Sequence, residues 1–107
     1  MIDLLVAGGG PAGLATAAHA ARAGLEVVVL DRRRGPIDKA CGEGLMPSAV
    51  ARLADLGVDP PGLSFHGIRY LDGGHHAEAR FRRGAGRGVR RTSLHGALRH
   101  AALDAGV

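Results

Sequence analysis

Cysteine and aromatic side chains are nearly absent from this chain of 107 residues, which has one cysteine, two phenylalanines, one tyrosine and no tryptophan. The single Cys41 excludes an intrachain disulfide and leaves no cysteine cluster for a metal. Hydrophobic residues make up 46% of the chain, but many of them are alanine. We therefore expect one small domain with a shallow hydrophobic core and little independent stability.

The chain also lacks an apolar run long enough to cross a membrane or to form a signal peptide. Its N-terminal apolar run, residues 2–7, passes directly into a glycine-rich turn. The six histidines show no metal-ligand spacing with a third ligand, and no serine or cysteine has a paired base. We expect a cytoplasmic protein without a membrane span or a metal site, whose histidines are solvated or structural.

Acidic residues are missing from residues 79–103, a segment rich in arginine. Such a block contacts nucleic acid or cofactor phosphates in some proteins, but it is more commonly a solvated face. Its only aromatic residue is Phe81, so the stacking platform that binds single-stranded nucleic acid is lacking. We therefore do not expect a nucleic-acid partner. The arginines of the block are Arg80, Arg82, Arg83, Arg87, Arg90, Arg91 and Arg99.

Glycine, in contrast, is abundant, and three glycines near the N-terminus follow the G-x-G-x-x-G spacing of a dinucleotide-binding turn. Gly8 permits the tight turn from strand to helix, Gly10 lets a phosphate approach the backbone, and Gly13 lets the helix lie close to the strand. Pro11 suits the first turn of a helix, where its missing N–H would have no intrahelical partner. The helix start offers free N–H groups to an anion.

The surroundings of this turn predict a complete βαβ unit over residues 1–31. Residues 14–23 are alanine-rich and favour a helix, Gly24 follows as its stop, and residues 26–30 form a short apolar strand. Asp31 then ends the second strand, where a carboxylate can accept hydrogen bonds from ribose hydroxyls. The unit predicts a bound adenine dinucleotide. The arginines at 32–34 leave NADP as a candidate, but Asp31 would repel the 2′-phosphate of NADP.

The rest of the chain does not continue a simple alternation of strands and helices. We predict a loop and helix over residues 37–57, with Ser48 as the N-cap and Gly57 as the stop. A β-hairpin follows over residues 63–83, with strands at 65–71 and 77–81. Residues 84–88 should form a flexible connection to a last helix over 92–105, capped by Thr92 or Ser93. Val107 would begin a further strand, so we expect the chain to stop before the remaining strands.

The chain contains the stretches GGGPAG at residues 8–13, DKACGEGLMP at 38–47 and GVRRTSLH at 88–95. Together they resemble the N-terminal part of flavoprotein monooxygenases and of the related geranylgeranyl-reductase-like FAD-dependent oxidoreductases. The first stretch is shared by many flavin and nicotinamide enzymes, whereas the other two are more specific. The resemblance implies an α/β, Rossmann-like FAD-binding domain with an inserted hairpin, of which this chain is a part.

The resemblance also implies roles for individual residues. The pyrophosphate would lie against the turn, and Asp31 would hold the adenosine ribose, where the family usually has glutamate. Arg32 would lie near the adenine, and the loop from Cys41 to Leu45 along the flavin. Arg91, in preference to Arg90, would reach the phosphate and ribityl region. The implied FAD-binding residues are Gly8, Gly10, Pro11, Ala12, Gly13, Asp31, Arg32, Cys41, Gly42, Gly44, Leu45 and Arg91.

The activity implied by the resemblance is that of an FAD-dependent oxidoreductase, with NADPH or NADH as electron donor. Our leading hypothesis is a monooxygenase that acts on a small organic substrate. A reductase of the geranylgeranyl-reductase type and a truncated nucleotide-binding fragment without catalysis are the alternatives. The family's later glycine-aspartate motif and its substrate domain do not occur in this sequence, so we expect the chain alone to be catalytically incomplete.

Overall fold

The computed structural model describes residues 1–35, 38–39 and 43–107. It confirms the α/β class, and its described residues form short strands and three helices. In chain order the elements are β1 (Leu4–Ala7), α1 (Pro11–Arg22), β2 (Val27–Leu30), β3 (Gly44–Leu45), α2 (Pro47–Asp55), β4 (Leu63–Phe65), β5 (Gly67–Asp72), β6 (His75–Arg80), β7 (Gly86–Gly88) and α3 (Arg91–Asp104).

The N-terminal βαβ unit is present as the sequence predicts. Strands β1 and β2 pair in parallel, from Leu4 opposite Val27 to Ala7 opposite Leu30, and α1 connects them. Helix α1 begins three residues earlier than its apolar pattern indicates, because Pro11 occupies its first turn. Gly24, with φ of +94°, follows the helix in the left-handed conformation that ends many helices.

A three-stranded antiparallel sheet, in the order β3-β7-β4, is the part of the fold that the sequence does not reveal. The flexible connection predicted over residues 84–88 is wrong, because Gly86–Gly88 is the central strand of this sheet. Glycine is required there by close packing. A Cβ on Gly86 would overlap the ring of Phe65 and the carbonyl oxygen of Leu45.

The predicted hairpin exists but is shorter than the range 63–83. Strands β5 and β6 pair from Gly67 opposite Arg80 to Asp72 opposite His75, and Gly73, with φ of +55°, lies in the turn. The first residues of the predicted hairpin instead form β4, which pairs with β7. The rings of Phe65 and Phe81 meet edge to face at 5.4 Å between centroids and connect the hairpin to that sheet.

The predicted caps of the second and third helices are wrong. Helix α2 begins at Pro47 with Met46 as its N-cap, and α3 begins at Arg91 with Arg90 as its N-cap. Neither cap residue forms a side-chain hydrogen bond to its helix. For α2, the fixed φ of Pro47 and its missing N–H make a capping side chain less necessary.

The core lies on one side of the β1-β2 sheet, where α1 packs against α3. The opposite side of the sheet is open, since Leu5 is 57% exposed and Leu30 is 58% exposed. The radius of gyration is 16.2 Å, against about 13 Å for a compact domain of this length. The described fold is therefore less compact than a typical domain of this length. The buried residues of the core are Leu14, Ala18, Leu56, Val58, Val89, Leu94, Leu98 and Ala102.

Candidate functional site

The glycine-rich turn between β1 and α1 is held in one conformation by close packing. Gly8 has a φ of +110°, and its N–H donates a hydrogen bond of 2.7 Å to the carbonyl oxygen of Leu30. A Cβ on Gly13 would overlap the carbonyl oxygen of Gly8 and lie 3.3 Å from a methyl of Val6. The structure therefore agrees with the reasons for glycine at these two positions. Gly8 adopts the backbone conformation of the turn, and Gly13 lets α1 lie close to the turn and to β1.

The start of α1 forms a surface suited to an anion. Gly10 is the N-cap and has no side chain that could occupy the first N–H groups. Pro11 begins the helix, and the first turn has no acidic residue. The first N–H groups of a helix have no intrahelical partner and carry a partial positive charge. Ala12 and Gly13 belong to this turn, so their N–H groups face an anion placed at the helix start.

Arg91, the first residue of α3, brings its guanidinium to the same place. A Cβ built on Gly10 would have Nη2 of Arg91 as its nearest neighbour, at 4.0 Å. The Nε of Arg91 is buried and has no hydrogen-bond partner within the described part of the chain. Such a donor is costly unless an acceptor satisfies it. Arg90, the alternative candidate, is an exposed N-cap residue.

Asp31 lies at the end of β2, beside the turn. Its Oδ2 accepts a hydrogen bond of 2.8 Å from the N–H of Gly9, and its Oδ1 accepts one of 2.8 Å from the N–H of Arg33. The Arg33 side chain, followed by the Arg33 and Gly9 backbone N–H groups, holds the pKa of the Asp31 carboxyl far below its usual range. Asp31 is thus a carboxylate at any ordinary pH. Its ion-pair partner is Arg33, at 3.2 Å; Arg32 is exposed.

Glu43 connects the loop before β3 to the start of α3, a contact that the sequence does not reveal. It adopts a φ of +55°, its carbonyl oxygen accepts a hydrogen bond of 2.8 Å from the N–H of Val89, and its Oε1 accepts one of 3.3 Å from the N–H of Arg91. A carboxylate from another part of the chain therefore caps α3. It fixes the backbone from which the Arg91 side chain extends.

Replacement of Glu43 by alanine is expected to lower the free energy of unfolding by about 0.5–2 kcal/mol, the usual cost of losing a helix cap. Glu43→Gln keeps an acceptor and should retain part of that stability. Urea denaturation followed by circular dichroism measures both. Glu78→Ala is the control, because Glu78 forms only an exposed ion pair with Arg69 at 3.5 Å and should cost about 0–1 kcal/mol. Equal losses for Glu43→Ala and Glu78→Ala would contradict the capping role.

The predicted flavin-side loop is only partly described. Cys41 and Gly42 lie outside the described residues. Gly44 and Leu45 form β3, where they pair with Gly88 and Arg87, and Leu45 packs against the core. The structure thus gathers the predicted residues of the turn, Asp31 and Arg91 at one place. It puts Gly44 and Leu45 in a separate sheet that approaches α3 through Glu43.

The arginines of the block do not lie on a single helix or strand of the described structure. They are divided among β6, β7, α3 and the segments between them. Arg87 pairs with Asp59 and also donates to the Pro60 carbonyl oxygen, whereas Arg91 faces the glycine turn.

His95, one turn after Arg91, is 2% exposed, and its Nε2 lies 2.8 Å from the Gly9 carbonyl oxygen. The sequence predicts solvated or structural histidines, and His95 is structural. Its contact with the glycine turn was not foreseen, although the four-residue spacing from Arg91 places both side chains on one helix face. Among residues 1–35, 38–39 and 43–107, there is no cluster of His, Cys, Asp and Glu that could hold a metal. Within the same described ranges, no helix is long and apolar enough to cross a membrane.

Comparison with known proteins finds a family match, curated relatives and similar solved structures. A family model described as an FAD binding domain matches residues 1–91. A menaquinone reductase from Mycolicibacterium smegmatis is 61% identical over 56 residues, which are 52% of this chain and 14% of the relative. An FAD-dependent myxobacterial chondrochloren halogenase is 27% identical, with a TM-score of 0.84 over 99% of this chain and 27% of that one. A geranylgeranyl bacteriochlorophyll reductase-like protein from Thermoplasma acidophilum is 27% identical, with a TM-score of 0.81 over 97% of this chain and 28% of that one.

Proposed function

Since the chain belongs to the FAD-binding domain family, we propose that it holds the diphosphate and adenosine of FAD in a flavin-dependent reductase. We further propose that the substrate of this reductase is a lipid with a prenyl chain. The matched part of this chain spans 14% of the curated reductase and 27–28% of the two solved structures. The proposal therefore concerns an activity to which this chain contributes its cofactor-binding part.

The observation that carries the proposal is the buried Nε of Arg91 beside the start of α1. A diphosphate fits this place, because it would give that donor an acceptor and neutralise the guanidinium. Arginine suits phosphate since its forked N–H groups can donate two hydrogen bonds at once. The N–H groups of Ala12 and Gly13 would donate from the opposite side. The open space beside Gly10 would let the phosphate approach without meeting a Cβ.

The remaining predicted residues would orient the other parts of the cofactor. The Asp31 carboxylate, held ionised by Arg33, would accept the ribose hydroxyl hydrogens, and Arg32 would lie near the adenine. Cys41, Gly42, Gly44 and Leu45 would lie on the flavin side, with the small glycines leaving room for a planar ring. FAD supplies the redox chemistry when it is bound, while the protein binds and orients it. NADPH or NADH is the proposed electron donor.

The substrate proposal depends on what the similar proteins are named for and on how similar they are to this chain. The menaquinone reductase is 61% identical over 56 residues, and the halogenase and the reductase-like protein are each 27% identical over nearly the whole of this chain. Menaquinone and the geranylgeranyl group named in the second structural relative share a prenyl chain. This shared prenyl chain favours reduction. It disfavours hydroxylation, the activity of the monooxygenase that the sequence analysis puts first. The similarity to an FAD-dependent halogenase keeps a monooxygenase as the second candidate.

A pair of chimeric enzymes would test in which of these activities this chain can supply the cofactor-binding part. This chain would replace the matching N-terminal segment of the M. smegmatis menaquinone reductase and, separately, that of the chondrochloren halogenase. We expect the reductase chimera to purify with FAD and to retain at least about a tenth of its parent's turnover, because the cofactor geometry would be conserved.

FAD content is measured separately from turnover in both chimeras. A reductase chimera that holds FAD but does not turn over, beside an active halogenase chimera, would refute the reductase assignment. FAD binding without turnover in either chimera would favour a non-catalytic nucleotide-binding role. Loss of FAD from both would refute the cofactor-binding role itself.

A further inference from the structure

The peptide groups on both sides of Gly9 are held by side chains from distant parts of the chain. The Gly9 N–H donates to Oδ2 of Asp31 at 2.8 Å, and the Gly9 carbonyl oxygen lies 2.8 Å from Nε2 of His95. Gly9 is itself buried. Asp31 belongs to the end of β2 and His95 to the second turn of α3, so the turn is connected to both elements.

The chemistry of the second contact fixes the position of a proton. A carbonyl oxygen only accepts hydrogen bonds, so Nε2 of His95 must carry the proton and donate it. His95 is 2% exposed, which keeps water from replacing it as the donor. Its place on α3, four residues after Arg91, means that one helix face presents a donor to Gly9 and a guanidinium to Gly10.

This hydrogen bond also determines where the next N–H points. The Gly9 carbonyl shares its peptide plane with the Gly10 N–H, and the described chain has no cis peptide bond. In a trans peptide the two groups point in opposite directions. A donor on the Gly9 oxygen therefore aims the Gly10 N–H away from His95. Glycine backbones rotate more freely than others, so a glycine run needs such outside contacts to hold one orientation.

We propose that His95 is a positioning residue for the phosphate-binding turn, which orients the Gly10 N–H toward the diphosphate of FAD. This inference rests on the proposed function, since it assigns a role within the same site. His95 acts on the turn and does not touch the ligand. Its loss should therefore weaken ligands that have phosphates while leaving the binding of the nucleoside unchanged.

The test uses the 107-residue chain with His95→Phe and His95→Gln. Phenylalanine fills similar space but donates no hydrogen bond, whereas the glutamine amide can place a donor near the position of Nε2. We expect His95→Phe to weaken FAD and ADP binding about tenfold, the effect of losing one well-formed hydrogen bond, with unchanged affinity for adenosine. His95→Gln should restore most of the loss. His100→Phe is the control, because His100 is exposed on the same helix and pairs with Asp104.

A second readout needs no ligand. Amide hydrogen exchange of the free protein should be faster at Gly9 and Gly10 in His95→Phe. Exchange at Gly8 should be unchanged, because its N–H bonds to Leu30. Nitrogen NMR of the wild-type chain should find the His95 proton on Nε2.

These measurements separate the inference from the proposed function. A wild-type chain that binds neither FAD nor ADP would refute the proposed function, while the exchange and NMR results would still decide whether His95 holds the turn. Unchanged ADP affinity in His95→Phe would overturn the positioning role. An equal loss of adenosine binding would point to general damage and would overturn it too. If His95→Phe does not fold, two other results would refute the inference. One is a His95 proton found only on Nδ1 in the wild-type chain. The other is a folded His95→Gln that binds ADP as weakly as expected for loss of the hydrogen bond.

Discussion

Replacement of Gly13 by alanine is expected to weaken FAD binding about a hundredfold and to destabilise the fold. The added Cβ would overlap the Gly8 carbonyl oxygen, which belongs to the backbone and cannot rotate away as a side chain would. The turn must shift, and it would lose one or two charge-assisted hydrogen bonds to phosphate, each contributing about 1.5–3 kcal/mol. The overlap should cost about 1–3 kcal/mol of folding free energy, more than the gain of about 1 kcal/mol in helix propensity.

Gly96→Ala is the matched control for this substitution. Gly96 also lies within a helix, but a Cβ built on it meets no atom within 4 Å. Alanine there should raise the free energy of unfolding by up to about 1 kcal/mol and leave FAD binding unchanged. Isothermal titration with FAD and urea denaturation measure both variants. Normal FAD affinity in Gly13→Ala would mean that the turn does not need the close approach of α1.

Replacement of Arg91 by alanine is also expected to weaken FAD binding about a hundredfold, since a guanidinium can donate two charge-assisted hydrogen bonds to phosphate. Arg91→Lys keeps the charge but loses the fork, so its affinity should lie between those of wild type and alanine. Adenosine, which has no phosphate, should bind all three proteins equally. Without FAD, alanine at this position should not reduce stability, because it removes a buried donor that lacks a partner.

Arg90→Ala distinguishes the specific contact from the general charge of this region. Arg90 is adjacent in sequence and carries the same charge, but its side chain is exposed. We expect its FAD affinity to fall less than about threefold at physiological salt, where exposed charges are largely screened. Fluorescence titration of FAD with each variant gives the comparison. If Arg90→Ala and Arg91→Ala lose affinity equally, the phosphate is held by diffuse charge and not by the Arg91 guanidinium.

The part of the fold that the sequence predicts well is the part made by local interactions. The βαβ unit is recognisable because Gly8, Gly13 and Gly24 each mark a backbone conformation or approach that glycine permits, and all lie within one continuous segment. The β3-β7-β4 sheet could not be foreseen in this way. Its strands have only two or three residues, and glycines hide any alternation of polar and apolar residues. Pairing between distant segments creates these strands.

The candidate site follows the same division. The turn, Asp31 and Arg91 are predicted by motif, but the contacts that hold them are not. Glu43 caps α3 across 48 positions of sequence, and the contact between His95 and Gly9 spans 86 positions. Neither residue differs in sequence from an ordinary exposed glutamate or helix histidine. Their roles depend on how α3 is placed against α1, which is decided by packing of the whole core.

The long separation between Gly9 and His95 has a consequence for the order of folding. The glycine turn can form early, because its strand and helix are neighbours in sequence. The contacts from Arg91 and His95 require closure of a loop that contains most of the chain, and such long-range contacts form slowly. During synthesis the turn therefore leaves the ribosome well before the residues that hold it. High-affinity cofactor binding should therefore begin only after α3 has been synthesised and has packed against α1.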